Sequence, residues 1–340
     1  MLENLTPRQL IRKLVQGIAP PRPLFLPIVF AHAARIENLP LRAFLTNPTK
    51  ISNSLRQIRA HLRSDGITCY FDPLLEAEAL GGTVEWDNTG ETASLRWPQQ
   101  AAKGELPSGL RSPEDAAKSG RVGVALEVVR RLKPLVRDDC LLTVGLTGPF
   151  TLAAQLTQLQ GKDVHRAQDI PPEALDFAAT VITRVATALV EAGANVLFLR
   201  EDILPALTVE EAEDWASRLA TTTNIVRFYE ALPVLLLTSP QSVAANAEVI
   251  AGRAWDCVVC PAVDGTAADG LRRFAALGPT RFGIALPPQA PGPGESADSD
   301  LAESLRTVVA DARPAIVTTV GDLPATADME HLKRTWETLR

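Results

Sequence analysis

Short, continuously apolar runs alternate with stretches of helical spacing along most of the chain. The runs fall at residues 24–30, 67–71, 141–146, 195–199, 234–237, 256–259, 281–286 and 315–320. Parallel strands read this way because both of their faces are covered. Between the runs, residues 48–65 carry Ile51, Leu55, Ile58 and Leu62 along one helical face. Residues 171–192 and 209–230 repeat that length and character, and 243–252, 265–277 and 300–312 give shorter helical patterns. Eight strand–helix alternations predict an α/β fold, a single (β/α)8 TIM barrel spanning residues 1–340, over an open doubly wound sheet.

Two segments break the rhythm. Residues 83–97 alternate around Asp87-Asn88-Thr89-Gly90, which predicts a β-hairpin inserted after strand 2. Residues 285–299 are rich in Pro, Gly and Ser, which predicts a long loop after the seventh strand, either a lid on the catalytic face or a disordered insertion. The first residues form an extra N-terminal amphipathic helix, whose apolar positions are broken by Arg8, Arg12 and Lys13, so it reads as no signal peptide.

Composition narrows the class. Of 340 residues, 46% are hydrophobic and only 5% aromatic, so the core must be built from Leu, Val, Ile and Ala. The net charge of −6 and the lack of a basic, aromatic-studded patch argue against a nucleic-acid partner. No run reaches the roughly 20 apolar residues of a membrane span. Cys69, Cys140, Cys257 and Cys260 are too few for a disulfide framework, which predicts a cytoplasmic protein. Cys257 and Cys260 lie in one strand, facing opposite ways, and read as structural. No metal site is expected.

In such barrels the chemistry gathers at the strand C-terminal ends. There, His32 and Arg35 follow the first strand, as acid–base group and carboxylate clamp or as ordinary polar loop residues. Asp72 ends the second, to stabilise positive charge or to cap a helix beginning at Pro73. After the third, Gly148, Pro149 and Phe150 open a helix whose amides could hold an anionic group. Arg200, Glu201 and Asp202 end the fourth, as site or as solvated rim.

The blocks FDPLLEAEALGGTVEW at 71–86, GLTGPFTLAAQL at 145–156 and EAGANVLFLREDILPAL at 191–207 resemble the uroporphyrinogen decarboxylase superfamily, which also contains corrinoid-linked methyltransferases. RFGIALPP at 281–288 and residues 318–337 add to the resemblance. It implies the same barrel, and a homodimer by analogy. The decarboxylases' RQAGRY loop matches residues 31–36, with Ala31 for the first arginine and Arg35 for the second. Their pyrrole-binding aspartate matches Asp72, their tyrosine matches Gln155, and their late histidine falls near Gly321. The methyltransferases' zinc ligands, a His-x-Cys and a later Cys, fall on Leu237-Thr238-Ser239 and Gly321.

Three readings follow. The first is a cofactor-free, decarboxylase-like lyase on a carboxylated small molecule other than uroporphyrinogen, with Asp72, Arg35 and His32 catalytic and Gly148, Phe150, Gln155, Glu201 and Asp202 binding substrate. The second is a methyltransferase or demethylase that uses a corrinoid carried by a partner protein, without the zinc–thiol arrangement. The third is a barrel that binds and does not catalyse.

Overall fold

The computed structural model describes residues 5–98, 102–251, 255–262, 276, 281–287, 313–324 and 327–339. The predicted helices at 265–277 and 300–312, and all but the first residues of the 285–299 loop, lie outside the described residues.

The strands of the barrel are β1 (Leu24–Phe25), β2 (Gly66–Tyr70), β5 (Leu141–Thr147), β6 (Val196–Glu201), β7 (Leu232–Leu237), β8 (Cys257–Pro261), β9 (Arg281–Leu286) and β10 (Ile316–Thr319). They form one parallel sheet in the order β1-β10-β9-β8-β7-β6-β5-β2, so neighbours in sequence are neighbours in space. Each predicted apolar run is one of these strands, and the chain is a (β/α)8 barrel. The inserted hairpin is the antiparallel pair β3 (Thr83–Trp86) and β4 (Ala93–Arg96), with Asp87 accepting the Gly90 amide across its turn.

The helix layer contains α1 (Pro7–Val15), α2 (Ala31–Ile36), α3 (Leu41–Phe44), α4 (Pro48–Leu62), α5 (Leu75–Ala79), α6 (Pro113–Ala116), α7 (Gly120–Leu132), α8 (Pro149–Leu156), α9 (Pro172–Ala192), α10 (Val209–Phe228), α11 (Pro240–Ile250) and α12 (Met329–Leu339). α1 is set by a capping box in which Thr6 and Gln9 exchange hydrogen bonds, and it buries Leu10, Ile11 and Leu14. No described helix is long and apolar enough to cross a membrane.

β1 is two residues long where the apolar run suggests seven, because Pro27 has no amide hydrogen to continue the ladder. Threonine hydroxyls carry the chain instead: Thr318 donates to the Leu26 carbonyl (2.6 Å), Thr68 to Pro27 (3.0 Å), and Thr319 accepts the Ile28 amide (3.1 Å). The seam between β1 and β2 is closed by Asp65. Its amide donates to the Phe25 carbonyl (2.9 Å), while its carboxylate accepts the Phe25 amide (2.8 Å) and both terminal nitrogens of Arg22 (2.7 and 2.8 Å).

Replacing Asp65 with Ala leaves the part-buried Arg22 with only the Pro23 carbonyl and no counter-charge, and the Phe25 amide without its acceptor. The expected loss of unfolding free energy is about 2–4 kcal/mol, read from urea denaturation. A loss below about 0.5 kcal/mol would mean the seam closes without it.

Candidate active site

β2 delivers its last residues to the C-terminal mouth. Tyr70 is buried and donates its hydroxyl to the Leu45 carbonyl (2.8 Å), which fixes the direction in which Phe71 and Asp72 leave the strand. The Asp72 side chain is 7% exposed. One oxygen accepts the Leu74 amide (2.9 Å), an Asx-type turn, and α5 begins only at Leu75, not at Pro73. The other oxygen pairs with Arg121, itself 7% exposed. Burial raises the Asp72 carboxyl above its ordinary range, and Arg121 works against that rise.

Arg121 stands in the first turn of α7. Its amide donates to Glu78 Oε2 (3.0 Å), and its Nε lies 3.5 Å from the same oxygen. This approach requires Gly120, whose φ of +53° is left-handed and whose added Cβ would lie 2.5 Å from the Glu78 carboxylate. The apolar spacing Val122, Leu126, Val129 and buried Leu132 was available as a helix signal. Nothing in residue type or spacing ties Arg121 to Asp72.

At the end of β6, Arg200 pairs with Asp202 and lies over the Phe71 ring, its guanidinium carbon 5.3 Å from the ring centre. The ring has room because Gly145 faces it; a Cβ there would lie 2.3 Å from Phe71. Asp202 also accepts the Thr238 hydroxyl (2.8 Å).

Glu201 is wholly buried and serves the fold. Its carboxyl accepts the amides of Phe150 (3.1 Å) and Thr151 (2.9 Å) and the Thr151 hydroxyl (2.7 Å). Gly148 donates its amide to the Arg200 carbonyl (2.6 Å), and a Cβ on it would lie 2.3 Å from Glu201. The α8 N-terminus, expected to offer amides to an anionic substrate group, is therefore occupied by an internal carboxyl. Phe150 is 2% exposed and packs on Trp215, ring centres 6.1 Å apart, inside the core. Burial pushes Glu201 up to about 8, with the Thr151 hydroxyl opposing it, and pushes buried Glu76, bonded to Thr147 (2.7 Å), up to about 7.

The first-strand candidates lie on α2. Asp322 accepts the amides of Phe30 and Ala31 (both 2.6 Å) and so anchors the start of α2. On α2, Arg35 is exposed, while His32 is half-buried with its ring bonded to the Pro324 carbonyl and its pKa lowered by burial and then by Arg35. The groups acting on Asp72 are Arg121, the Leu74 amide, Glu78 and Arg200; those acting on His32 are Arg35, Pro324 and His61. Asp72 also acts on Asp322, which holds the start of α2. The guanidinium that pairs with Asp72 is Arg121 and not the expected Arg35, because α7 reaches the carboxylate from beside β2.

Gln155 donates its amide to the Pro73 carbonyl (3.0 Å), which leaves its oxygen pointing away. That oxygen, Arg121 Nη2 and Arg200 Nε are buried without hydrogen-bond partners, as is His32 Nδ1 on α2. Buried polar atoms are normally satisfied, so these atoms are candidate contacts for a small polar molecule. A hollow of about 650 Å³ opens beside it between α3 and the hairpin, lined by Arg42, Thr46, Glu78, Trp86, Asn88 and Arg121 among others.

The profile of the uroporphyrinogen decarboxylase (URO-D) family matches residues 6–236. The chain belongs to this family. A curated relative, methylcobamide:CoM methyltransferase MtaA of Methanosarcina barkeri (strain Fusaro / DSM 804), is 30% identical over 93 residues, which is 27% of each chain. The match thus spans about a quarter of that relative's length. Among solved structures, a methyltransferase from Methanosarcina mazei superposes with a TM-score of 0.74 at 17% identity, covering 99% of this chain and 98% of its own. A putative vitamin-B12 independent methionine synthase from Listeria monocytogenes superposes at 0.55 with 14% identity, covering 94% and 97%. Both share the fold. The family's zinc does not fit the residues present: Thr238 donates to Glu201 and Asp202, Ser239 caps α11, and Gly321 has no side chain. Among the described residues no His, Cys, Asp or Glu group has metal-binding geometry.

A native state that holds a proton on Glu201 loses stability as pH rises, because the unfolded chain has already released it. Unfolding free energy should therefore fall between the ordinary 4.5 and about 8. Glu201→Gln should flatten that fall, leaving the parts due to Glu76 and Asp322; an unchanged slope in denaturation from pH 5 to 8 would contradict it.

Proposed function

We propose that this member of the URO-D family transfers a methyl group between a small molecule held at Asp72 and a corrinoid presented by a partner protein, without a zinc-bound thiol. The observation that carries the reading is the pairing of Asp72 with Arg121. A decarboxylase-like mechanism asks Asp72 to stabilise developing positive charge on the substrate, and here that charge is already matched by a buried guanidinium. The match to methylcobamide methyltransferases supports the same direction.

The corrinoid supplies a centre that gives up or receives a methyl group. This chain's residues bind and orient the other reactant. Arg121 Nη2 and Arg200 Nε offer donors from two sides, and Gln155 Oε1 offers an acceptor. Departure of a methyl group from oxygen or nitrogen leaves a heteroatom that needs a proton. Asp72, ionised opposite Arg121, orients that heteroatom by accepting its hydrogen bond, and the proton itself comes from solvent. Phe71, buried against Arg200, excludes water from the base of the cluster.

The test is to mix the purified protein with methylcobalamin, or with reduced cobalamin and a panel of methyl ethers, alcohols and methylamines, and to follow the corrinoid absorbance. Protein-dependent change of the methylation state is expected, falling at least about tenfold in Asp72→Asn. Release of CO2 from a panel of carboxylated small molecules, with the corrinoid unchanged, would establish the lyase reading instead.

A further inference from the structure

We infer that the end of the molecule taken at Asp72 is uncharged and carries both a hydrogen-bond acceptor and a donor, as an alcohol or a primary amide does, and that a carboxylate, phosphate or sulfonate is not taken there. This inference rests on the reading of the Asp72 cluster as the substrate site.

Proteins without a bound metal hold a buried anion mainly with an uncommitted guanidinium or with the amides of a helix N-terminus. Both devices stand at this mouth, and both are in use. Arg121 faces Asp72 and Glu78, and Arg200 faces Asp202 while its plane lies over Phe71. Three carboxylates thus face two guanidiniums. The first-turn amides of α8 are given to Glu201, and the Gly148 amide to the Arg200 carbonyl. An added anion would meet surplus negative charge beside Asp72, which is 7% exposed and little screened, while Glu78 and Asp202, 25% and 38% exposed, repel it more weakly. Ionised Glu76 or Glu201, both wholly buried, would add to that repulsion.

The unpartnered atoms ask for something different. Arg121 Nη2 and Arg200 Nε are donors without an acceptor, and Gln155 Oε1 is an acceptor without a donor. The Gln155 assignment is fixed by its amide's bond to the Pro73 carbonyl (3.0 Å). A hydroxyl or a primary amide completes both kinds at once, and a carboxylate completes only the donors. The requirement holds for the inner end alone. Arg42, at the outer rim of the adjoining hollow, is exposed, so a charge on the far end of the molecule remains in water.

Crystals of the whole chain soaked in parallel with acetamide and with acetate, at one concentration, read this directly. Acetamide on Gln155 Oε1 and on Arg121 or Arg200 is expected, with acetate absent. Acetate between the two arginines overturns the inference, and so does a cluster that takes neither. In solution, Glu78→Gln with Asp202→Asn removes two of the three carboxylates. That variant should bind benzoate at least about tenfold more tightly by tryptophan fluorescence, with benzamide changed by less than about threefold. No gain for benzoate overturns the charge argument. Corrinoid turnover is read separately, so failure of methyl transfer leaves these binding results standing.

Discussion

Two charges are buried together at the mouth of this barrel, and the surrounding structure is arranged around their pairing. Asp72 and Arg121 have side chains that are each 7% exposed, and either one alone would be an uncompensated charge in low dielectric. Their meeting needs β2 to end where it does, which Tyr70 secures through the Leu45 carbonyl. It also needs α7 to start beside the strand, which Gly120 allows and Glu78 holds in place. The long excursion after β2, with its hairpin, short α6 and α7, thus has a consequence at the centre: it supplies the guanidinium paired with Asp72, to which Arg200 of β6 adds a weaker positive field.

The rest of the mouth follows a similar logic. Glu201 holds the start of α8, Glu76 holds Thr147 at the end of β5, and Asp322 holds the start of α2. Each is a buried carboxyl committed to backbone or hydroxyl donors from a neighbouring element, and burial raises the pKa of each. Such groups fix geometry before any ligand arrives, which is what a preorganised site requires. They also consume the donors that a helix N-terminus would otherwise present to a substrate.

The barrel was legible because period and strand count are properties of the whole chain, and each apolar run from residue 24 to residue 320 is a strand. The length of β1 was less legible, since Pro27 stops a ladder that apolarity alone would continue. For the site, position along the strands singled out Asp72, Glu201 and Asp202. It could not show that Glu201 turns inward to cap α8, because a Glu at a strand end reads the same whether it faces a ligand or an amide. Arg121 was invisible for a different reason. It lies in a helix inside an insertion, so neither strand position nor motif spacing points to it, and only the fold brings it to Asp72.

The same geometry divides the mouth. The unpartnered polar atoms of Arg121, Gln155 and Arg200 belong to the β2, β5 and β6 side, and His32 Nδ1 adds one after β1. Across the barrel, β8 leads into Ala262 and β9 ends at Leu286, which are 1% and 3% exposed and bring no polar side chain. At the end of β10 stands Gly321, and Ala31 takes the place of an arginine after β1. Among the described residues, most of that unpartnered capacity is therefore gathered in one half of the rim. A tetrapyrrole carrying carboxylates around its whole edge needs cations on several sides, and here Arg121 and Arg200 stand on one side, each already paired, with the exposed Arg35 after β1. A molecule with a single polar end and an apolar body meets the division directly, its polar end at Gln155 and Arg121 and its body toward Phe71 and Trp86. The asymmetry of the rim, more than any one substitution in the family pattern, is what turns the reading from a porphyrinogen toward a small methyl-bearing molecule.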